Sequence, residues 1–278
     1  MADGPSLHRY QAITRQNLPS TPYWDRVPLE IRNTVDLVAR VLPFRVSSYV
    51  LDELIDWSRI PEDPIFQLTF PQEDFLAEAD RRTLRALLDR GARRDELGWA
   101  VREIQLGLNP QPAEQLSKNV PTLEGRPLTG LQHKYRETVL FFPAAGQTCH
   151  SYCTYCFRWA QFTALEDLRF QARDARDLVA YLRLHPEVTD VLFTGGDPLI
   201  MSTRVLRSYL RDLLEVDLPH VHTLRLGTKA FAYWPGRFLT DPDAEDLLRT
   251  FEEIVARGWH LAIMAHFSHP VELQPEVA

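Results

Sequence analysis

Apolar positions in the first hundred residues recur at helical spacing, and they predict four helices: Val35–Val41, Leu51–Trp57, Arg81–Leu88 and Leu97–Ile104. Pro-rich connections join them, and no alternation of strands with helices shows in this half. From Asn109 to Gly130 the chain turns polar and rich in Pro and Gly, which predicts a linker or a strap over the surface. Beyond it the rhythm changes. Short runs of Val, Leu and Phe alternate with amphipathic stretches, the pattern of repeated βα units. Strands are predicted at Thr138–Phe142, Asp190–Thr194, Thr223–Gly227 and Leu261–Ala265, with helices near Ala172–Leu184, Thr203–Leu214 and Asp243–Arg257. In the second helix Leu206, Leu210, Leu213 and Leu214 share one face. The expectation is an α/β chain, with a mainly helical region over 1–130 and a βα core over 131–278. Parallel strands of this kind close into a barrel or form an open doubly wound sheet, and in both cases site residues gather at the strand C-termini.

Composition narrows the classes without changing this picture. The chain has 278 residues, 45% of them hydrophobic and 25% charged, which fits a globular core and excludes disordered and collagen-like classes. Its formal net charge of -7, with basic and acidic residues interspersed, gives no footprint for nucleic acid or an anionic membrane, so the expected partner is a small molecule. Met1–Tyr10 has neither a signal-peptide core nor a transit pattern, and no apolar run approaches a membrane span, so a cytoplasmic location is expected.

Only three cysteines occur, and all lie in Cys149-His150-Ser151-Tyr152-Cys153-Thr154-Tyr155-Cys156, directly after the first predicted strand. An odd, clustered set argues for metal or catalysis over disulfides. A 4Fe-4S cluster takes four thiolates when it only passes electrons. Three leave one iron open for an exogenous ligand. The same spacing also allows a structural zinc site with His150 or His133 as fourth ligand, and with it a non-catalytic protein. The second strand runs into Gly195-Gly196-Asp197-Pro198. Paired glycines let a backbone approach a ligand closely and Asp197 offers a charged acceptor, although the same four residues also make an ordinary turn.

The cysteine loop resembles the radical S-adenosylmethionine (SAM) signature, whose members hold SAM on the open iron of a 4Fe-4S cluster. That resemblance implies a partial (β/α) barrel, ligation by Cys149, Cys153 and Cys156, and SAM binding at Gly195, Gly196 and Asp197. A closer resemblance is to the lysine 2,3-aminomutase family, in ordered pieces from Asp63 onward. Asp63-Pro64-Ile65 with Gln67, Gly130-Leu131-Gln132-His133-Lys134-Tyr135, Asp190 to Leu199, Leu224 to Lys229, and His266-Phe267-Ser268-His269-Pro270-Val271-Glu272 each resemble a family segment. The family combines a SAM-derived radical with pyridoxal phosphate (PLP) to shift an amino group by one carbon. The match therefore implies an amino-acid substrate with its carboxylate on Arg158, PLP phosphate on Lys134, SAM near His266, and a one-electron reductant of the flavodoxin type. No residue of this chain is assigned to the chemical step itself.

Two departures stand out. Thr138 occupies the place of a second family arginine toward PLP, which favours a PLP-independent radical reaction as the alternative. The family pattern also continues past residue 278 through further βα units that carry the PLP lysine. The chain thus reads as a fragment of a longer enzyme, with completion of the barrel by a second chain, as in a homo-oligomer, or a degraded relative as the other readings.

Overall fold

The computed structural model describes residues 10–111, 114–163 and 165–277. Nine of the ten N-terminal residues read above for targeting signals lie outside them, as do residues 112 and 113 of the expected linker. The chain divides into two compact units. One comprises Gln11–Pro112 together with Ser151–Arg169, and the other comprises Met1–Tyr10, Ala113–His150 and Phe170–Ala278.

The first unit is mainly helical. Its two short strands, β1 (Ala12–Thr14) and β2 (Arg45–Ser47), pair antiparallel with Ile13 opposite Val46. Between them runs α1 (Leu29–Val38). The Val35–Val41 periodicity falls partly on this helix, which begins earlier, just after Pro28, whose fixed φ suits a helix start. The predicted Leu51–Trp57 helix is only a single wide turn, Val50–Leu54. Ile55 leaves it in an extended conformation, and the Trp57 indole then donates back to the Leu51 carbonyl at 2.8 Å. Helix α2 (Pro64–Thr69) starts at a capping residue, Asp63, whose Oδ1 accepts from the Ile65 and Phe66 amides at 3.0 and 2.7 Å. Helices α3 (Glu78–Asp89) and α4 (Arg94–Gly107) contain the two remaining predicted segments. Leu84 and Leu87 of α3 and Ala100 and Ile104 of α4 pack with Leu37 and Val38 of α1.

The second unit contains the sheet. A small hairpin, β3 (Thr122–Leu123) and β4 (Arg126–Pro127), precedes five strands: β5 (Leu131–Tyr135), β6 (Thr138–Phe141), β7 (Asp190–Phe193), β8 (Thr223–Thr228) and β9 (His260–Ala265). Their order in the sheet equals their order in the chain, with β5–β6 antiparallel and the remaining pairs parallel. All four predicted strands are present. Leu131–Tyr135, where the sequence pattern predicts no strand, forms the edge strand β5; its Gln-His-Lys centre lacks the apolar run that marks a buried strand.

Helices α5 (Arg176–Leu184), α6 (Thr203–Leu214), α7 (Ala230–Tyr233), α8 (Gly236–Leu239) and α9 (Ala244–Ala256) connect the parallel strands. Strand alternation sorts the side chains between the two faces. Val139, Phe141, Val191, Phe193, Leu224 and Leu226 are fully buried, in one core with Leu178, Leu206, Leu210, Leu213 and Leu247 of the helices. Thr138, Leu140, Asp190, Leu192, Thr223 and Arg225 point the other way and are half-buried. The unit is therefore a small α/β sheet with one helix-covered face.

Candidate functional site

Strand β6 leads into a turn at Ala144–Gly146 and then to Gln147, Thr148, Cys149 and His150. The exit of β7 lies against this segment. The Asp197 amide donates to both the Gly146 and Thr148 carbonyls, at 3.0 and 2.7 Å. A Cβ on Gly196 would stand 2.5 Å from the Thr148 nitrogen and 2.6 Å from the Gly146 oxygen. Gly195 adopts φ +128°, in the region that L side chains avoid, and faces the Gln147 side chain. The two glycines thus let the β7 exit close directly onto the chain that enters the cysteine loop.

Asp197 is 2% exposed and fully engaged. Its Oδ1 accepts from the Leu199 amide at 2.9 Å and the Thr228 hydroxyl at 2.8 Å, and its Oδ2 accepts from the Lys229 amide at 2.8 Å. His150 Nδ1 faces Oδ2 at 3.5 Å, with the ring buried and the Tyr10 ring edge-on to it. Burial raises the carboxyl pKa, but His150 and the hydrogen-bond donors outweigh it and hold the group below its ordinary range. The chain continues from Thr228 into Lys229, whose ammonium sits 2.9 Å from Glu272 Oε1 and 4.1 Å from the Tyr233 ring centroid. Glu272 has no exposed surface and also accepts from the Ser268 amide at 2.7 Å. The His266 amide bonds the Thr228 carbonyl at 2.9 Å, and burial together with the Lys229 charge lowers the pKa of its imidazole. A buried polar network thus joins the C-terminal ends of β6, β7, β8 and β9. Of this network the sequence reading singled out Asp197 and His266, and His150 as a candidate zinc ligand, while Lys229 and Glu272 only ended two of the quoted segments.

The cysteines divide between the units: Cys149 belongs to the sheet unit, Cys153 and Cys156 to the helical one. None is in a disulfide, and each is half-buried. In the helical unit the loop is tied down at three points. Ser47 N donates to Ser151 Oγ at 2.9 Å, Tyr152 N to the Arg45 carbonyl at 2.9 Å, and Thr154 N to the Leu68 carbonyl at 2.8 Å. Cys153 and Cys156 line a pocket of about 300 Å³ walled by Tyr152, Tyr155, Phe157 and Trp159. Burial pushes the Cys156 thiol up, against a lowering hydrogen bond from the Arg158 backbone. Among the described residues no three His, Cys, Asp or Glu side chains are gathered as a metal-ligand set.

No family model matches the chain. It is 32% identical over 252 residues to a protein of Aquifex aeolicus named "Putative L-lysine 2,3-aminomutase", a match covering 91% of this chain and 55% of that protein. It is 31% identical over 153 residues to L-lysine 2,3-aminomutase of Bacillus subtilis, covering 55% of this chain and 30% of the relative. Over most of its length the chain is thus similar to lysine 2,3-aminomutases. With the corresponding enzyme of Haemophilus influenzae it shares 26% identity, over 74% of this chain and 59% of that one. The chain spans about half the length of the curated relatives that match most of it.

The remaining residues singled out in the sequence fall in different places. Arg158, in the helical unit, is half-buried, with its guanidinium 5.2 Å from the Phe157 ring centroid and its pKa lowered to about 10 by desolvation. Lys134 is exposed on β5, its ammonium 5.6 Å from the Tyr135 ring centroid. Thr138, at the place of the family's second arginine, donates to Asp190 Oδ2 at 3.0 Å and accepts from Arg225 Nη2 at 3.0 Å. An exposed lysine and a hydroxyl already engaged on both sides do not make a phosphate cradle, so PLP does not fit these two residues. An iron-sulfur group fits better, because Cys153 and Cys156 are thiols lining one pocket with an aromatic wall. The zinc reading gains nothing from its histidines. Both ring nitrogens of His133 are engaged, with Tyr181 Oη at 2.7 Å and the Arg136 carbonyl at 3.1 Å, and His150 is turned to Asp197.

Proposed function

We propose that this chain is the cluster- and SAM-binding part of a radical SAM isomerase, an aminomutase acting on lysine or a related amino acid. The observation that carries the reading is the Cys-x3-Cys-x2-Cys loop at the end of the first parallel strand, two of whose thiols line one aromatic pocket. The four parallel strands would then be the first part of a (β/α) barrel, with the loop at its C-terminal mouth. Cys149, Cys153 and Cys156 would hold the cluster. When bound, the 4Fe-4S cluster and SAM supply a carbon-centred radical after one-electron reduction, chemistry that no side chain provides.

The chain's own residues bind and position. Gly195 and Gly196 bring the β7 backbone against residues 146–148, leaving no room for movement between the SAM-binding segment and the start of the cysteine loop. Both Asp197 oxygens are engaged within the fold, so a ligand's ammonium here would be received by the backbone around Asp197, while the carboxylate keeps that backbone in place. The His266 imidazole has its pKa lowered, which favours the uncharged form and suits a hydrogen-bonding neighbour of a cationic sulfonium. Arg158, carried two residues after Cys156 and beside the Phe157 ring, would clamp the substrate carboxylate.

A second reading keeps the cluster and SAM but omits PLP; the engagement of Thr138 with Asp190 and Arg225 favours it. The test is anaerobic reconstitution with iron and sulfide, then SAM and dithionite, with 5′-deoxyadenosine read by chromatography and Cys156→Ala as control. Product lost in the variant supports radical chemistry. Zinc in place of iron-sulfur would overturn both readings. Added pyridoxal phosphate and lysine then separate the two, because only the first requires the aldehyde for β-lysine to form.

A further inference from the structure

A buried ion pair ties down the chain that follows β9. The Lys229 ammonium lies 2.9 Å from Glu272 Oε1 and 3.0 Å from Oε2, and both residues are sealed from solvent. Desolvating two ions costs about as much as their attraction returns, so an apolar pair of the same volume would hold this space equally well. What an apolar pair lacks is direction. Each bond of Lys229 points to a different stretch of chain. Its amide donates to Asp197 Oδ2 at 2.8 Å, on the segment after β7, while its ammonium reaches Glu272, on the segment after β9. Its carbonyl accepts from the Tyr233 amide at 2.8 Å, and the same tyrosine sets its ring 4.1 Å from the ammonium, which fixes the side chain from the α7 side.

Thr228 repeats the pattern one residue earlier. Its hydroxyl donates to Asp197 Oδ1 at 2.8 Å and its carbonyl accepts from the His266 amide at 2.9 Å. Glu272 then folds residues 268–272 onto themselves, accepting from the Ser268 amide at 2.7 Å while its own amide donates to the His269 carbonyl at 3.0 Å. The end of β8 is therefore bonded on one side to the Gly195–Asp197 segment and on the other to residues 266–272. We propose that Lys229 is a positioning residue, a strut that keeps these two segments in register so that both meet the same SAM molecule. The proposal rests on the radical SAM reading, which gives both segments to SAM. Lys229 acts at a distance from the ligand, because its amide and its ammonium are both engaged within the fold.

The test combines Lys229→Met with Glu272→Leu, which exchanges the ion pair for an apolar one and strands no charge. In the chain without cluster, amide hydrogen exchange should quicken about tenfold in peptides covering 194–197 and 266–272, with α5 and α6 unchanged. After anaerobic reconstitution, SAM binding by equilibrium dialysis without reductant should weaken about tenfold at wild-type iron content. A pair that only filled the core would leave both readings at wild-type values. Glu272→Gln, which keeps the shape and the acceptor for Ser268 and removes only the charge, guards against a double variant that folds poorly; it should weaken SAM binding a few-fold. Exchange and SAM affinity like wild type in these variants, or a loss of SAM without faster exchange at 194–197, would overturn the proposal. Wild type that takes up iron and sulfide yet binds no SAM would sink the radical SAM reading, and the exchange arm would still decide whether Lys229 couples the two segments.

Discussion

Asp190 and Asp197 stand at opposite ends of β7, seven positions apart in one stretch of sequence, and the fold treats them differently. Asp190 begins the strand on the open face, where its carboxylate meets the Arg225 guanidinium and the Thr138 hydroxyl with side chains 15% and 27% exposed for the ion pair. Asp197 follows the strand and is sealed in, satisfied by two amides and a hydroxyl, with a buried histidine facing it. At the strand starts a whole cation answers the carboxylate and water can replace either partner. At the strand ends the donors are mostly main chain, so the geometry there is fixed by the backbone and tolerates no substitution of the acceptor.

The most severe test of that contrast is Gly196→Ala. Its Cβ would meet the backbone on the opposing segment, which cannot step aside, and a loss of about 3 kcal/mol or more is expected in urea unfolding. Asp197→Ala should cost about 3–5 kcal/mol, because it strips the buried donors of their acceptor. Lys229→Met, which strands Glu272 without exposure, should cost about 3 kcal/mol, and Lys229→Met combined with Glu272→Leu should recover most of it. Asp190→Asn should cost about 1 kcal/mol or less, since its ion pair is partly solvated. If the Asp190 variant proves as damaging as the Asp197 one, the contrast between the two strand ends fails.

Acid titration sharpens the same comparison. The Asp197 pKa is depressed in the folded state, so below the ordinary carboxyl value of 3.8 the unfolded chain binds more protons than the folded one. The stability that this carboxylate contributes is full above about pH 4 and is lost only as pH falls further. The gap between wild type and Asp197→Asn should accordingly hold from pH 7 down to about 4 and close below it. The smallest effect expected is spectroscopic: Lys229→Met removes a nearby positive charge, and the His266 titration midpoint, read by NMR, should move upward.

How much of this could be read in advance follows from what makes a residue conspicuous. The four parallel strands and α6 were legible because buried strands and amphipathic helices write their period into the apolar positions. Strand β5 and the β1–β2 pair were not, since polar or three-residue strands carry too few apolar positions to register. The cysteines and paired glycines stood out by residue type and spacing. Thr228, Lys229 and Glu272 did not, because a buried polar network exists only once strands distant in sequence bring their ends together. The reassignment of residues 151–169 to the helical unit was hidden for a related reason. The bonds that hold that loop, to Arg45, Ser47 and Leu68, join positions about a hundred residues apart or only slightly fewer, and leave no local trace.

That strand order in the sheet repeats strand order in the chain also governs how the sheet can assemble. The β5–β6 hairpin closes over a short loop, and each later strand adds beside the one before it, so no strand has to be inserted between two made earlier. A chain emerging from the ribosome can therefore build this sheet in one direction, adding each strand as it is made without waiting for distant sequence. At every stage the growing edge is the newest strand. Among the described residues that edge is β9, whose outer amides and carbonyls are oriented to receive a further parallel neighbour.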